Sequence, residues 1–537
     1  MKNHSVIIAV FAAAAAHAAP YNWAGSSSSD WTDVGNWRDT NNAVPAVPPG
    51  TGANDDVTFG APGAFQPAVA SQYPPTLDNN ARIGRLVFNG SGIDISGNGP
   101  LLLNRGGNTQ LDFNQRYINA NAGTTNTISV PLLLCSGSNG DAYFAANAGA
   151  MLVFGSTISY TNATVSARNL FLRGPGTFDL RGSAHVADLR AEEGAVLLLN
   201  NPVGRSYAPA GGKKVRLLGG SAIWLHDNQI DADSVTNVIL RIDNGGFADL
   251  NCKTDTVHEV YFSLDHDAGG TLSTGDSGLL RIRNTTGAIS VGSTARTPSS
   301  TSVINGNILI EGAGSSTAKI STRRGTADAE LVVNAIIDGA CAVSVDNVAN
   351  SGAPGGIVVF NAINTYAQTT KILNGTLVVN GATGPGKVEI AAAGRLEGTG
   401  VVDPANAFPA LTIAVAGGTI APGAPLGTLT IGSPDGGENN VVFTAPGSVL
   451  EIRADASGAA SLKVNGAIQN AHNAVLRISA TERPPAGRYL VAEASEGING
   501  VFAAIEDETD LLRLRHTAGS NQITLFSHDP GTLMIVK

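Results

Sequence analysis

Gly355-Gly356-Ile357-Val358-Val359-Phe360 opens a run that closes at Thr428-Leu429-Thr430-Ile431, and the reading of this run decides the fold. Inside it, Asn374-Gly375-Thr376-Leu377-Val378-Val379-Asn380-Gly381 is followed by Ala393-Gly394-Arg395-Leu396-Glu397-Gly398 and by Gly417-Gly418-Thr419-Ile420-Ala421-Pro422-Gly423. Each unit places a turn glycine before a small or polar residue and an apolar one that opens a strand. So short a strand cannot bury its apolar face alone and must stack on copies of itself. A spacing of roughly 19 to 24 residues falls in the range of solenoid coils. The stretch predicts an all-β chain folded as a β-solenoid. A parallel β-helix satisfies the pattern, because each coil adds a rung ~4.8 Å from its neighbour and alternate side chains point into a continuous apolar core. Asn and Gly at the corners supply the left-handed backbone that other residues resist.

Outward from that run the pattern persists in degenerate form. Ile83-Gly84-Arg85-Leu86-Val87-Phe88, Gly194-Ala195-Val196-Leu197-Leu198-Leu199 and Val238-Ile239-Leu240-Arg241-Ile242 read as strands. So does Val303-Ile304-Asn305-Gly306-Asn307-Ile308-Leu309-Ile310, taken as one. No segment of ten or more residues beyond the N-terminal leader shows helical spacing. With ~22 residues per coil, the body holds on the order of 15 to 20 coils. Composition agrees: 65 Gly and 25 Pro in 537 residues, with 14% charged and 5% aromatic residues, suit a chain of short strands and turns. At 43% hydrophobic the chain has material for a long core.

Met1-Lys2-Asn3-His4 is cationic, Val6 to Ala16 is apolar, and Ala16-His17-Ala18 is a small-x-small site. That order predicts a secretory signal peptide cleaved after Ala18, and hence an exported chain. No later run reaches the ~18 apolar residues needed to span a bilayer. Lys and Arg number 33 against 43 Asp and Glu, a net charge of −10 with the charges dispersed. Such a surface makes a poor nucleic-acid partner. The expected organisation is a signal peptide at 1–18, an N-terminal Trp/Pro-rich cap or entry strands at 19–90, a β-helix body at 91–480 with its clearest repeats at 355–480, and a C-terminal β cap at 481–537. These are read as one elongated domain.

Val358-Val359-Phe360-Asn361 with Asn364-Thr365-Tyr366, then Gly375-Thr376-Leu377-Val378-Val379-Asn380-Gly381, resembles the autotransporter-associated β-strand repeat. Gly394-Arg395-Leu396-Glu397-Gly398 and Gly418-Thr419-Ile420-Ala421-Pro422-Gly423 continue the likeness, and the window from Trp23 to Trp37 is similar to the usual entry of such proteins. The resemblance covers about residues 355–505 and, less closely, 20–90. It implies a right-handed parallel β-helix on the surface or outside of a Gram-negative-type bacterium: a passenger, with no catalytic residues to carry over. The chain departs from the family after Phe502, where no room remains for a translocator barrel.

Several constellations invite a chemical reading. Trp23, Trp31 and Trp37, three of four tryptophans, suit an apolar plug on the solenoid's open end or a sugar-stacking platform, the plug being preferred. His258-Glu259 and Asp265-His266-Asp267 flank Val260 to Leu264. If the strand runs on, Asp265 and Asp267 share one face, an arrangement that would suit Ca²⁺ or an acid/base pair. A solvated corner is the plainer reading. Asp227, Asp231 and Asp233 form a second acidic loop, and Gly275-Asp276-Ser277-Gly278 matches a serine-nucleophile loop without its partners. Cys135, Cys252 and Cys341 are too few and too far apart for a disulfide framework or a metal site; one pair at most would close. No catalytic, cofactor-binding or metal residue is therefore assigned. The expected function is a secreted or cell-surface structural and adhesive passenger, whose partner is an extracellular polysaccharide or the surface of a host or neighbouring cell. The alternatives are a polysaccharide-active β-helix enzyme, lyase or glycoside hydrolase, and a carbohydrate-binding surface protein.

Overall fold

Alternation of side chains makes these segments strands. In Ile357–Phe360, Val358 and Phe360 are fully buried while Ile357 and Val359 are half-buried on the other face. The computed structural model describes residues 20–24, 27–49, 55–60, 75–78, 81–104, 117–135, 141–160, 168–209, 214–230, 237–263, 266–348, 353–402, 412–433, 439–507, 512–515 and 520–527. Residues 1–18, expected as a signal peptide, lie outside them. The chain is all-β, with 53% of it in strands that pair mostly in parallel. Among the described residues the only helical turns are short 3₁₀ turns at Val34–Asn36 and Ala471–Asn473, and no helix is long and apolar enough to cross a membrane. The chain divides into two compact units, residues 1–170 with 174–178, and residues 171–173 with 179–537.

In the first unit the strands Pro20–Trp23, Asp56–Phe59, Arg85–Phe88, Ile118–Ala120 and Ala142–Ala146 form one parallel series. A second runs through Asp94–Ile95, Thr125–Ile128 and Met151–Phe154. A third runs through Ala81–Ile83, Leu101–Asn104, Leu132–Cys135 and Ile158–Tyr160. The first series begins in an aromatic knot. Register places Trp23 on Phe59 and Phe59 on Phe88, and the antiparallel strand Trp37–Arg38 covers the other edge of Pro20–Trp23. The Trp23, Trp31 and Trp37 rings pack at centroid distances of 4.8 to 6.4 Å. All three are buried, so they present no face to a sugar. The Trp37 indole donates to the Trp31 carbonyl at 2.8 Å, and that of Trp31 to the Pro49 carbonyl at 3.0 Å.

The second unit repeats the arrangement. Its chain returns in order to three parallel series, as Ser302–Asn305, Asn307–Ile310 and Thr317–Thr322 are followed by Leu331–Val333, Ile336–Gly339 and Ala342–Asn347 on the same three neighbours. The segment expected as one strand over Val303 to Ile310 is two, because Gly306 turns the chain at φ 96; a Cβ there would meet the Thr274 hydroxyl at 2.0 Å. The interval between stacked strands varies more than the repeats suggest. It is 19 residues between Ile357 and Thr376 but 32 between Thr271 and Val303. Corner loops absorb the difference, since register constrains only the strands. Five asparagines, Asn42, Asn228, Asn244, Asn251 and Asn470, take the left-handed conformation expected at corners. At the C-terminal side pairing turns antiparallel, where Gly487–Ala494 and Leu512–Arg515 flank Gln522–Ser527.

One tie spans three strands. Arg395 grips Glu451 with two bonds of 2.9 and 2.7 Å, and Arg453 grips Glu397 with bonds of 3.2 and 2.5 Å. Both forks reach over the strand Thr419–Pro422, whose fully buried Ala421 lies in register with Glu397 and leaves room above it. Hydrogen bonds from Arg395 hold the Glu451 carboxyl below the usual carboxylate range despite its burial. Its folded pKa being depressed, its contribution is present above the ordinary carboxylate pKa and lost as pH falls through the folded value.

Two outcomes follow, both read by chemical and thermal melting. Trp37→Ala is expected to destabilise the first unit by about 3 to 5 kcal/mol; an unchanged melt would contradict the plug. Glu451→Gln is expected to cost on the order of 2 kcal/mol at neutral pH, with the gap closing in acid.

Candidate functional site

In the first series of the second unit, Asp188–Glu192, Lys214–Leu218, Ile239–Asp243, Glu259–Phe262, Ile289–Val291, Thr317–Thr322 and Ala342–Asn347 lie side by side in register. Each residue therefore stacks on its counterpart. The inward row Leu189, Val215, Leu240, Val260, Ile289, Ile320 and Val345 is fully buried. One residue on, alternation turns Arg190, Arg216, Arg241, Tyr261, Ser290, Ser321 and Asp346 to the other face.

Three guanidiniums on successive strands, with backbones ~4.8 Å apart, repel unless countered. Asp188 takes Arg190 at 3.4 Å and Arg216 at 2.9 Å, and Asp243 takes Arg241 at 2.8 Å. Arg190 also lies over the Phe171 ring, 4.6 Å from its centroid. Lys214, two residues before Arg216, has no carboxylate at ion-pair distance among the described residues. Burial holds its ammonium below the ordinary lysine pKa, and repulsion by Arg216 adds to the shift.

Lys214, Arg241 and Lys319, with the Tyr261 ring and the hydroxyl-bearing Thr286, Ser290, Thr294 and Ser321, line a groove of about 530 Å³. That volume is in the range of small-molecule sites. Arg323 fixes one rim by donating to the carbonyls of Ser293 at 2.8 Å and Thr294 at 2.5 Å. The bordering carboxylates are engaged. Asp346 holds Lys319 at 2.8 Å, Asp243 holds Arg241, and Glu259, 9% exposed, accepts from the Asn284 amide. Burial and the Glu259 carboxylate push the Tyr261 phenol up.

The residues singled out from sequence fall differently. The strand after His258 ends at Phe262, and Ser263 turns left-handed at φ 51, so alternation does not carry through to Asp267. Asp265 lies outside the described residues. His266 and Asp267 are exposed, Asp267 standing 4.0 Å from Arg296, which is the solvated corner. His258 is 3.7 Å from Glu259. Asp231 and Asp233 also lie outside the described residues, and Asp227 accepts from the Thr254 amide at 2.7 Å. Ser277 of the Gly275–Gly278 loop hydrogen-bonds the Cys252 thiol and lowers its pKa. Cys252 and Cys341 are both free thiols, exposed and buried respectively, while the Cys135 side chain is outside the description. Among the described residues no group of three His, Cys, Asp or Glu is placed to hold a metal ion.

Sequence reading missed both the groove and Asp255. Next to the acidic loop, the buried Asp255 carboxylate accepts from the Trp224 indole at 2.6 Å, the Gln229 and Ile230 amides at 2.9 and 3.0 Å, and the Thr256 amide at 2.7 Å. It binds that corner to the strand Thr254–Val257. Tryptophan followed by a turn gives no hint of a carboxylate 31 residues away.

Neither family models nor curated proteins match this chain. The groove must be judged on its own chemistry.

Burial pushes the Asp255 carboxyl up to about 7, against the four donors that favour its charged form. A raised folded pKa means stability that is fully present below the unfolded carboxylate pKa and lost as pH rises through about 7. Stability read by thermal melting should therefore fall as pH rises from about 4 to about 7, by up to a few kcal/mol, and level off above that, and Asp255→Asn should flatten the dependence. A slope that the substitution leaves unchanged would assign the dependence elsewhere.

Proposed function

We infer that this chain is an exported structural and adhesive protein without enzymatic activity, built as a right-handed parallel β-helix and similar to passengers carrying autotransporter-associated β-strand repeats. The observation that carries the reading is the ordered return of the chain to the same three parallel series over a continuous aliphatic interior. Right-handed crossovers are the rule for parallel strands joined within one sheet, which supports the handedness. The cationic, apolar and small-x-small order of residues 1–18 supports export to the cell surface or the medium. Stacked coils of this kind extend by repetition, and such folds serve as stalks and as surfaces.

The groove favours a second reading, a polysaccharide-active enzyme. Its bordering carboxylates argue for holding a ligand rather than cleaving one, since Asp346, Asp243 and Glu259 are each committed to a neighbour. A general acid or base must reach the substrate's proton.

Expression of the full chain in a Gram-negative-type bacterium tests the proposal. The expected product begins at Ala19, is cut by protease added to intact cells or found in the medium, and releases no reducing ends or unsaturated sugars from polysaccharides. An unprocessed chain held inside the cell would overturn the export reading, and sugar release would favour the enzyme.

A further inference from the structure

We propose that the groove over Lys214, Arg241, Tyr261 and Lys319 binds an acidic polysaccharide, the Lys214 ammonium meeting a uronate carboxylate and the Tyr261 ring carrying the face of a sugar. The inference rests on the adhesive reading above and names its partner. Charge is the first argument. Arg241 and Lys319 face Asp243 and Asp346 at 2.8 Å each, whereas Lys214 sits half-buried beside Arg216, and its in-register neighbour Asp188 pairs with Arg190 and Arg216, so that no carboxylate stands at ion-pair distance from Lys214 among the described residues. A carboxylate from outside would offset the burial, and with it the repulsion by Arg216, that hold the ammonium pKa down, and a charge-assisted hydrogen bond in a partly desolvated groove is a strong contact.

Span is the second argument. Lys214 and Lys319 stand on strands four apart, a separation of roughly 19 Å. The lining thus follows the stacking direction, and a linear glycan advances per sugar by a step comparable to one strand spacing. Each step offers a different polar contact: the Tyr261 ring, then Ser290, then Ser321 in register. An amphipathic ring with hydroxyls on the following strands suits the mixed apolar and polar faces of a pyranose. Nucleic acid is disfavoured by the chain's net charge of −10 and by the single aromatic ring in the groove lining.

Titration calorimetry of the full mature chain tests the proposal, with oligogalacturonate, neutral dextran oligosaccharide and single-stranded DNA as probes. Oligogalacturonate is expected to bind, more weakly as salt rises, and dextran about tenfold less tightly or worse. Lys214→Ala and Tyr261→Ala should each weaken binding about tenfold or more with unchanged melts, and Lys214→Arg should retain most of it. Absence of oligogalacturonate binding, equal binding by Lys214→Ala, or preference for DNA or dextran would overturn the proposal. Export and surface exposure are measured separately, so a groove that fails to bind leaves the exported structural protein standing. A chain that binds but stays inside the cell removes the adhesive reading alone.

Discussion

In-register parallel pairing is the constraint on which everything else in this molecule depends. It sets every residue upon its counterpart one strand away, so a property repeated along a row is amplified. Inside, the result is favourable: Leu189, Val215, Leu240, Val260, Ile289, Ile320 and Val345 form an unbroken aliphatic row. At a corner it is favourable again, because stacked amides satisfy one another. Asn334 donates to Asn305 at 2.9 Å, Asn361 to Asn334 at 2.8 Å, and Asn380 to Asn361 at 3.1 Å. Each neutral amide is both donor and acceptor, so the ladder can be extended without limit.

Charges obey the opposite rule, since like stacked on like is repulsive. The chain handles this in two ways. Around Thr419–Pro422 it crosses two arginines with two glutamates, so each charge faces its opposites. Along Arg190, Arg216 and Arg241 it supplies aspartates from the flanking rows, and Asp188, in register with Lys214, is engaged by Arg190 and Arg216 rather than by the lysine. The groove is thus a by-product of the same register that builds the core, and its chemistry is that of a row of side chains rather than of a closed pocket. This favours repetitive ligands over small single molecules.

The fold was far more legible than the site. Glycine-bounded apolar units at 355–431 disclosed stacked strands because the same local signal recurs, and the clustering of Trp23, Trp31 and Trp37 in sequence pointed to rings that are buried together. Coil length misled between Thr271 and Val303, where a long loop leaves the register intact while stretching the interval. The groove was hidden for a physical reason. Lys214, Tyr261 and Lys319 are separated by more than a hundred residues overall and meet only through register, which corner loops of variable length conceal. Asp265 and Asp267 drew notice by proximity in sequence, yet the strand they were meant to extend ends at Phe262.

Pulsed electron spin measurement of distances along one outward row tests the stacked register most directly, with one label at position 214 and the other at 319, 371 or 414 in a cysteine-free background. These positions lie four, six and eight strands from Lys214. Narrow distributions near roughly 19, 29 and 38 Å are expected, rising in proportion to strand number. Distances that fail to rise with strand number, or that spread broadly, would contradict the in-register stack and with it the core, the charge rows and the groove.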